Sequence, residues 1–371
     1  MKKLTILFAL LTLSVGLWAE TVSYLDPVYN NPTDVTKGIK EWKNATADAT
    51  PITSSSFTWG AAGITTWLVV DNGVTLSQRV TCNGDVRLIL ANNVTLRATK
   101  GITVSGQGNS LTIYAQSTDA QMGKLAAGGA GGAAGIGGDD GRSGSNITIN
   151  GGNIVPTGGD QAAGIGGGYK GSGSNITING GTITAVGGSG AAGIGGGMEG
   201  SSSNIFVTTS LQVKADDNYP PTTVIENNGN DLADKLAGKK CVTIKDPLPD
   251  AKTAAIEAVN AEIAETDNDN VKAIATDATT AINDATSVAE VNALKNLAIA
   301  NIASAKAAYT AGDAAGYARG LEEGKAAGLA EAAAALPTDP EGTTGHTVTI
   351  TKGDKTLRLI NPDSVEYDEQ D

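Results

Sequence analysis

Between about residue 65 and residue 245 apolar and polar residues alternate in short runs, separated by Gly- and Asn-rich corners. A period of two marks strands with one buried face. Trp67–Val70, Val74–Leu76, Arg79–Cys82, Val86–Leu90, Val94–Leu96 and Ile102–Val104 read as the first six strands. Asn72-Gly73 and Asn92-Asn93 mark corners, because these residue types tolerate a left-handed backbone.

Further along, the alternation becomes a repeat. Ala-Ala-Gly-Ile-Gly-Gly begins at Ala133, Ala162 and Ala191, and Ser-Asn-Ile begins at Ser145, Ser174 and Ser203, so the period is 29 residues. The first two copies continue as Asn-Ile-Thr-Ile-Asn-Gly-Gly from Asn146 and Asn175. A fixed period of about 20 to 50 residues means stacked units of one supersecondary type. Three short strands and three corners per period fit one turn of a three-faced coil. The prediction is a mainly β chain whose residues 65–247 form a right-handed parallel β-helix, a β-solenoid of 29-residue coils, with about six coils. Ile147, Ile149, Ile154, Ile176, Ile178 and Ile183 point inward; Thr148 and Thr177 point outward, with Asn150 and Asn179. Stacked coils sit about 4.8 Å apart, so Asn146, Asn175 and Asn204 form a column able to hydrogen-bond along its length. The third copy decays into Asn204–Val207, Leu211–Val213 and Val224–Glu226, as a terminal repeat must.

On either side of this region the pattern differs. Residues 20–64 are mixed and polar, carry Trp42 and Trp59, and predict an N-terminal cap over the open edge of the first coil. After Pro247 and Pro249 the apolar period becomes helical: Ile256, Val259 and Ile263, then Val271, Ile274, Ala278 and Ile282, then Val291, Leu294, Ala298 and Ile302. Residues 250–310 therefore predict a small three-helix bundle, with Ser287-Val288-Ala289-Glu290 as a capping box. Across 311–336 a glycine recurs every fourth residue from Gly312 to Gly328, which reads as a closely packed helix or a linker. The tail, 345–371, alternates as a β-hairpin around Gly353-Asp354.

The first 19 residues read as a signal peptide: Lys2 and Lys3, an apolar run from Leu4 to Trp18, then Ala19 at the cleavage site. That run is too short to span a membrane, which takes about 20 apolar residues. Export places the chain outside the cell or on a bacterial cell surface, with the periplasm as the alternative. The formal charge of −13 becomes more negative once Lys2 and Lys3 are lost. It argues against a nucleic-acid partner, which needs a basic face. The predicted geometry puts Cys82 and Cys241 near opposite ends of the stack, too far apart for a disulfide. With His346 as the one histidine, His-dependent catalysis is disfavoured.

Candidate chemistry is sparse. Asp139-Asp140-Gly141-Arg142 is the densest acidic cluster of the repeats and makes Asp139 and Asp140 the candidate metal ligands, calcium being the cation such oxygens suit. Its counterparts are Gly168-Tyr169 and Gly197-Met198, so no calcium ladder recurs down the stack, and no other cofactor is indicated. Sugar faces pack on aromatic rings, which singles out Tyr169 at a corner. The outward Thr148, Asn150, Thr177 and Asn179 would supply polar contacts. No catalytic residue can be named.

Residues 68–245 resemble the Gly-rich repeat proteins of gut-type bacteria described as carbohydrate-binding-domain-containing secreted proteins. The resemblance rests on Leu111-Thr112-Ile113-Tyr114-Ala115-Gln116, Met122-Gly123, the three Ala-Ala-Gly-Ile-Gly-Gly copies and Thr177-Ile178-Asn179-Gly180-Gly181. It implies a secreted β-solenoid with a binding or adhesive role. Residues 250–310 are similar to the three-helix FIVAR-type modules of bacterial adhesins, through Ala281-Ile282-Asn283-Asp284-Ala285-Thr286-Ser287-Val288-Ala289-Glu290-Val291-Asn292. This implies a spacer or second contact. The expectation is a non-enzymatic protein that binds an extracellular glycan or a host or cell-surface ligand. The alternatives are a polysaccharide-degrading β-helix lyase or hydrolase, and a purely structural surface protein.

Overall fold

The computed structural model describes residues 19–30, 39–265, 268–310, 322–327, 348–352, 355–359 and 365–368. The predicted signal peptide up to residue 18, and the glycine-every-four segment apart from 322–327, lie outside them. The chain divides into two compact units, one ending at Asp246 and one beginning at Pro247.

The first unit is built on three long, largely parallel sheets. The chain visits them in turn. The first sheet takes Thr65–Val70, Asp85–Leu90, Ser110–Ala115, Gly144–Ile149, Gly173–Ile178 and Ser202–Val207. The second takes Val74–Leu76, Thr95–Ala98, Lys124–Gly128, Asn153–Thr157 and Thr182–Val186. The third takes Thr58–Trp59, Val80–Cys82, Ile102–Thr103, Ile136–Gly137, Ile165–Gly166 and Ile194–Gly195. Successive visits pair in parallel, Ile147 on Ile176 on Ile205 and Ile136 on Ile165 on Ile194. Early circuits are shorter: Thr65 and Asp85 are 20 residues apart, Asp85 and Ser110 25.

Alternation decides the core. Leu68, Val70, Val86, Leu88, Leu111, Ile113, Ile147, Ile149, Ile176 and Ile178 from the first sheet meet Leu96, Leu125, Ile154 and Ile183 from the second and Ile102, Ile136, Ile165 and Ile194 from the third. Each such side chain contributes about 1.5–3 kcal/mol on burial. The glycines of the repeat serve backbone-on-backbone packing. Gly137 and Gly166 have φ of +137° and +125°, and a Cβ on either would lie 2.0 Å from the carbonyl oxygen of its counterpart in the next circuit. Only glycine fits there.

Residues 20–51 reach the edge strand Thr65–Val70 and extend beyond it. Glu20–Tyr29 and Ile39–Pro51 form a long antiparallel ribbon joined to the stack by Thr50 and Pro51, which pair with Leu68 and Val69. The ribbon lies along the outside of the first sheet. Tyr24 and Ala49 pack there with Val69, Ile89 and Tyr114 in a second apolar cluster, separate from the interior. Alternating Ala45, Ala47 and Ala49 allow the close approach. Trp59 sits in the interior, 1% exposed. Cys82 and Cys241 are buried and not bonded to each other.

The far end of the stack is closed by sequence that the repeat does not foretell. Cys241–Lys245 inserts antiparallel between Thr182–Val186 and Gln212–Asp216, and Val224–Ile225 pairs antiparallel beyond. A short helix, Ala233–Leu236, buries Leu236 and its flanking Leu232. The Asp231 carboxylate accepts from the N–H groups of Asn204, Ile205 and Ala233 at 2.7–2.9 Å. The first two amides lie on the last strand of the sheet and the third opens the helix, so one carboxylate satisfies donors of both.

In the second unit Leu248–Ile263, Asp269–Asp284 and Val288–Thr310 are helices around a core of Val259, Val271, Ile282, Val291, Leu294 and Ile302. Asn268 caps the middle helix, its side-chain oxygen accepting from Asn270 and Val271. Ser287 Oγ accepts from the Glu290 N–H, but the Glu290 carboxylate reaches back to the N–H of Thr286, one residue earlier than a capping box requires. Gly324 packs its backbone against Asn301 and Ser304. The tail has three antiparallel strands in place of the expected pair: Val348–Lys352, Lys355–Leu359 and Val365–Asp368. Among the described residues no helix is long and apolar enough to cross a membrane.

Candidate binding face

The outward side chains of the first sheet fall into rows that run along the stack, because parallel strands in register place equivalent residues one above another. One row is Trp67, Arg87, Thr112, Thr148, Thr177 and Phe206. All six are half-buried, so the row is a track of partly exposed side chains that meets the ribbon at Trp67. Its aromatic end is ordered. The Arg87 guanidinium lies 5.2 Å from the Trp67 ring centroid, and Trp67 packs at 4.9 Å from Tyr24 and 5.4 Å from Tyr114. The Asp85 carboxylate takes hydrogen bonds from Thr65 (2.9 Å), Ser110 (2.9 Å) and Arg87 Nε (3.1 Å). Burial raises the Asp85 carboxyl, but these donors outweigh it and hold the group below its ordinary value. Asp26 on the ribbon is moved the other way, upward, by burial, with Arg87 opposing.

The next row is Val69, Ile89 and Tyr114, continued by Asn150, Asn179 and Thr208. Asn150, Asn179 and Thr208 each donate their N–H to the residue one circuit back that precedes the row: Ile113, Ile149 and Ile178. The sequence placed Asn150 and Asn179 on an exposed polar face. They are 6% and 3% exposed. The ribbon covers Asn179: its Nδ2 donates to Tyr29 Oη and to Asn150 Oδ1, both at 2.8 Å, and the Trp42 ring lies against Gly180. A segment 150 residues away in sequence makes that contact, and neither repeat nor alternation signals it.

The asparagine column does form at the corner. Asn175 Nδ2 donates to Asn146 Oδ1 at 3.2 Å and Asn204 Nδ2 to Asn175 Oδ1 at 3.0 Å. All three asparagines sit at φ between +51° and +58°, in the left-handed region that Asn tolerates. A serine column runs beside it, with Ser172 and Ser201 hydroxyls 2.9 Å apart.

The other candidates lie elsewhere. Tyr169 is half-buried at a different corner, with Lys170 Nζ 5.1 Å from its ring centroid; Lys170 is raised by Tyr169 and by Glu199, 3.7 Å away. Tyr169 is therefore not part of the threonine track. Asp139 pairs with Arg79. That guanidinium also donates to the carbonyls of Lys100, Ala134 and Gly138, stapling three circuits together. Burial lowers Arg79, and Asp139 offsets this. A carboxylate engaged with a guanidinium is a poor cation ligand. Asp140 is exposed. Among the described residues no group of three or more His, Cys, Asp or Glu side chains is placed to hold a metal ion.

Alternation alone could have located Thr112 and Arg87, since Leu111, Ile113, Val86 and Leu88 point inward around them. Comparison with protein-family models, curated proteins and solved structures yields no match to this chain.

Proposed function

We propose that this is a non-enzymatic binding protein of the cell exterior, and that its first sheet takes an extended carbohydrate chain along the Thr112–Thr148–Thr177 row. In this reading the three sheets are the faces of a right-handed β-solenoid, and the helical unit is a spacer or second contact. The observation that carries it is the row itself. Three threonines stand in register at about 4.8 Å intervals, between Trp67 with Arg87 at one end and Phe206 at the other. Hydroxyls repeating along a line suit a ligand whose own hydroxyls repeat, and the half-buried Phe206 ring at one end suits a sugar face.

The test is a glycan-array screen of the mature chain, with and without calcium, with hits assayed for cleavage. The expected result is saturable binding without cleavage, lost at least tenfold in T112V/T148V/T177V. Valine keeps the shape and strand preference of threonine and removes only the hydroxyl. Binding unchanged in the triple variant would refute this face as the site.

A further inference from the structure

The second sheet carries a charge pattern of its own. Its strands Val74–Leu76, Thr95–Ala98, Lys124–Gly128, Asn153–Thr157, Thr182–Val186, Cys241–Lys245, Gln212–Asp216 and Val224–Ile225 hold four cations, Arg97, Lys124, Lys214 and Lys245, and one carboxylate, Asp216. The whole chain has 39 acidic residues to 26 basic ones, so this sheet has the opposite sign to the molecule. Alternation turns the cations outward, because Leu96, Ala98, Leu125, Val213, Ala215 and Ile244 beside them are buried. The Asp216 carboxylate is committed to the loop that follows it, accepting from the N–H groups of Asn218 (2.7 Å), Thr222 (2.7 Å) and Thr223 (3.3 Å). Asp71, Asp119, Asp160 and Asp217 lie in connections, not on these strands. Lys245 is already engaged with a partner. Arg97, Lys124 and Lys214 form no side-chain hydrogen bond or ion pair among the described residues. Arg97 and Lys124 stand on interior strands, so guarding a sheet edge does not account for them.

We propose that this outward face is a second binding site, separate from the threonine track, and that it takes an anionic polysaccharide, a uronate or sulfated chain, laid across the strands. The residues between the cations argue for a sugar. Lys124, Asn153 and Thr182 stand in register in one row, and Thr184, Thr243 and Lys214 in the neighbouring one. All six are partly exposed. Four strand steps separate Lys124 from Lys214, about 19 Å. A cation therefore stands at each end of a strip of amide and hydroxyl groups that both donate and accept. An acidic sugar chain offers both chemistries, anionic groups for the cations and hydroxyls for the strip. A nucleic acid would need rings for its bases to stack on, and no strand of this sheet carries an aromatic residue. At physiological salt, charges more than about 8 Å away are largely screened, so the local sign, not the net −13, governs an incoming chain.

The test measures binding of the mature chain to three polymers. Polygalacturonate supplies carboxylates, dextran sulfate supplies sulfates, and unmodified dextran is the neutral control. The expected result is binding of one or both acidic polymers, and which of them binds identifies the anionic group. In R97Q/K124Q/K214Q that binding should weaken at least about tenfold, with a flatter dependence of log affinity on log salt, since fewer counterions are released. Any binding of dextran should be unchanged. Glutamine keeps a long polar side chain at these outward positions, and an unaltered melting curve by circular dichroism checks that the variant folds. Equal binding of the acidic polymers by variant and wild type, or no binding of either at low salt, would overturn the site. Equal affinity and salt slope for a single-stranded oligothymidylate would overturn the assignment to a glycan. T112V/T148V/T177V should bind the acidic polymers as wild type does, so this site and the threonine track can fail separately.

Discussion

Asn175 shows how a single side chain meets two demands at once. Its backbone is left-handed and its amide links Asn146 to Asn204. Alanine keeps neither property, and glycine keeps the backbone freedom. The left-handed conformation costs a non-glycine residue about 1–2 kcal/mol, and a hydrogen bond contributes about 1 kcal/mol net. With two such bonds lost, Asn175→Ala should cost about 3 kcal/mol and Asn175→Gly about 2 kcal/mol, read from urea midpoints at equal m-value. Asp85 supplies a pH signature. Its folded value lies below the ordinary 3.8, so its contribution is present above that pH and lost as pH falls through the folded value. Melting temperature followed from pH 5 to pH 2 should fall less steeply in D85N than in wild type; parallel curves would show that the three donors do not bias its ionisation.

At the scale of elements, the ends of strands and helices carry the information. The third helix of the C-terminal unit starts at Ser287, whose hydroxyl accepts from the Glu290 N–H at 3.2 Å. Replacing such a cap with alanine costs about 1 kcal/mol, so S287A should lower the melting of the helical unit and leave the β unit unchanged, as followed by circular dichroism. The helical spacing of Val271, Ile282, Val291 and Ile302 was legible because a period near 3.6 is set by local geometry. So was the inward set Ile147, Ile149, Ile176 and Ile178, set by a period of two. The closing strand Cys241–Lys245 lies beyond the last strand read from the sequence, and its antiparallel insertion carries no local signal. Nothing in five residues says which neighbour they will pair with.

For the whole molecule, the two units bury separate apolar cores, one around the stacked isoleucines and one around Val259 and Ile302. The helical core is rich in alanine, including Ala255, Ala275, Ala298 and Ala305, and so buries less area per residue. Urea should therefore give two transitions, the helical signal lost first. A single coincident transition would show that the units unfold together.

The register of the stack follows from the repeat alone. Once 29 residues return each motif to its own column, Ile147 must lie on Ile176, and Asn146 beside Asn175. Period and burial are local properties, repeated until they leave one solution. The use of each outward row was decided only in three dimensions. Asn179 and Thr177 alternate in the same way with buried isoleucines, yet Asn179 lies beneath the ribbon at 3% exposure and Thr177 stays half-buried in the neighbouring row. The difference comes from Tyr29 and Trp42, distant in sequence and carrying no repeat. Alternation says which side of a sheet a residue faces; what else packs on that side is a long-range contact, and the chain's local pattern holds no record of it.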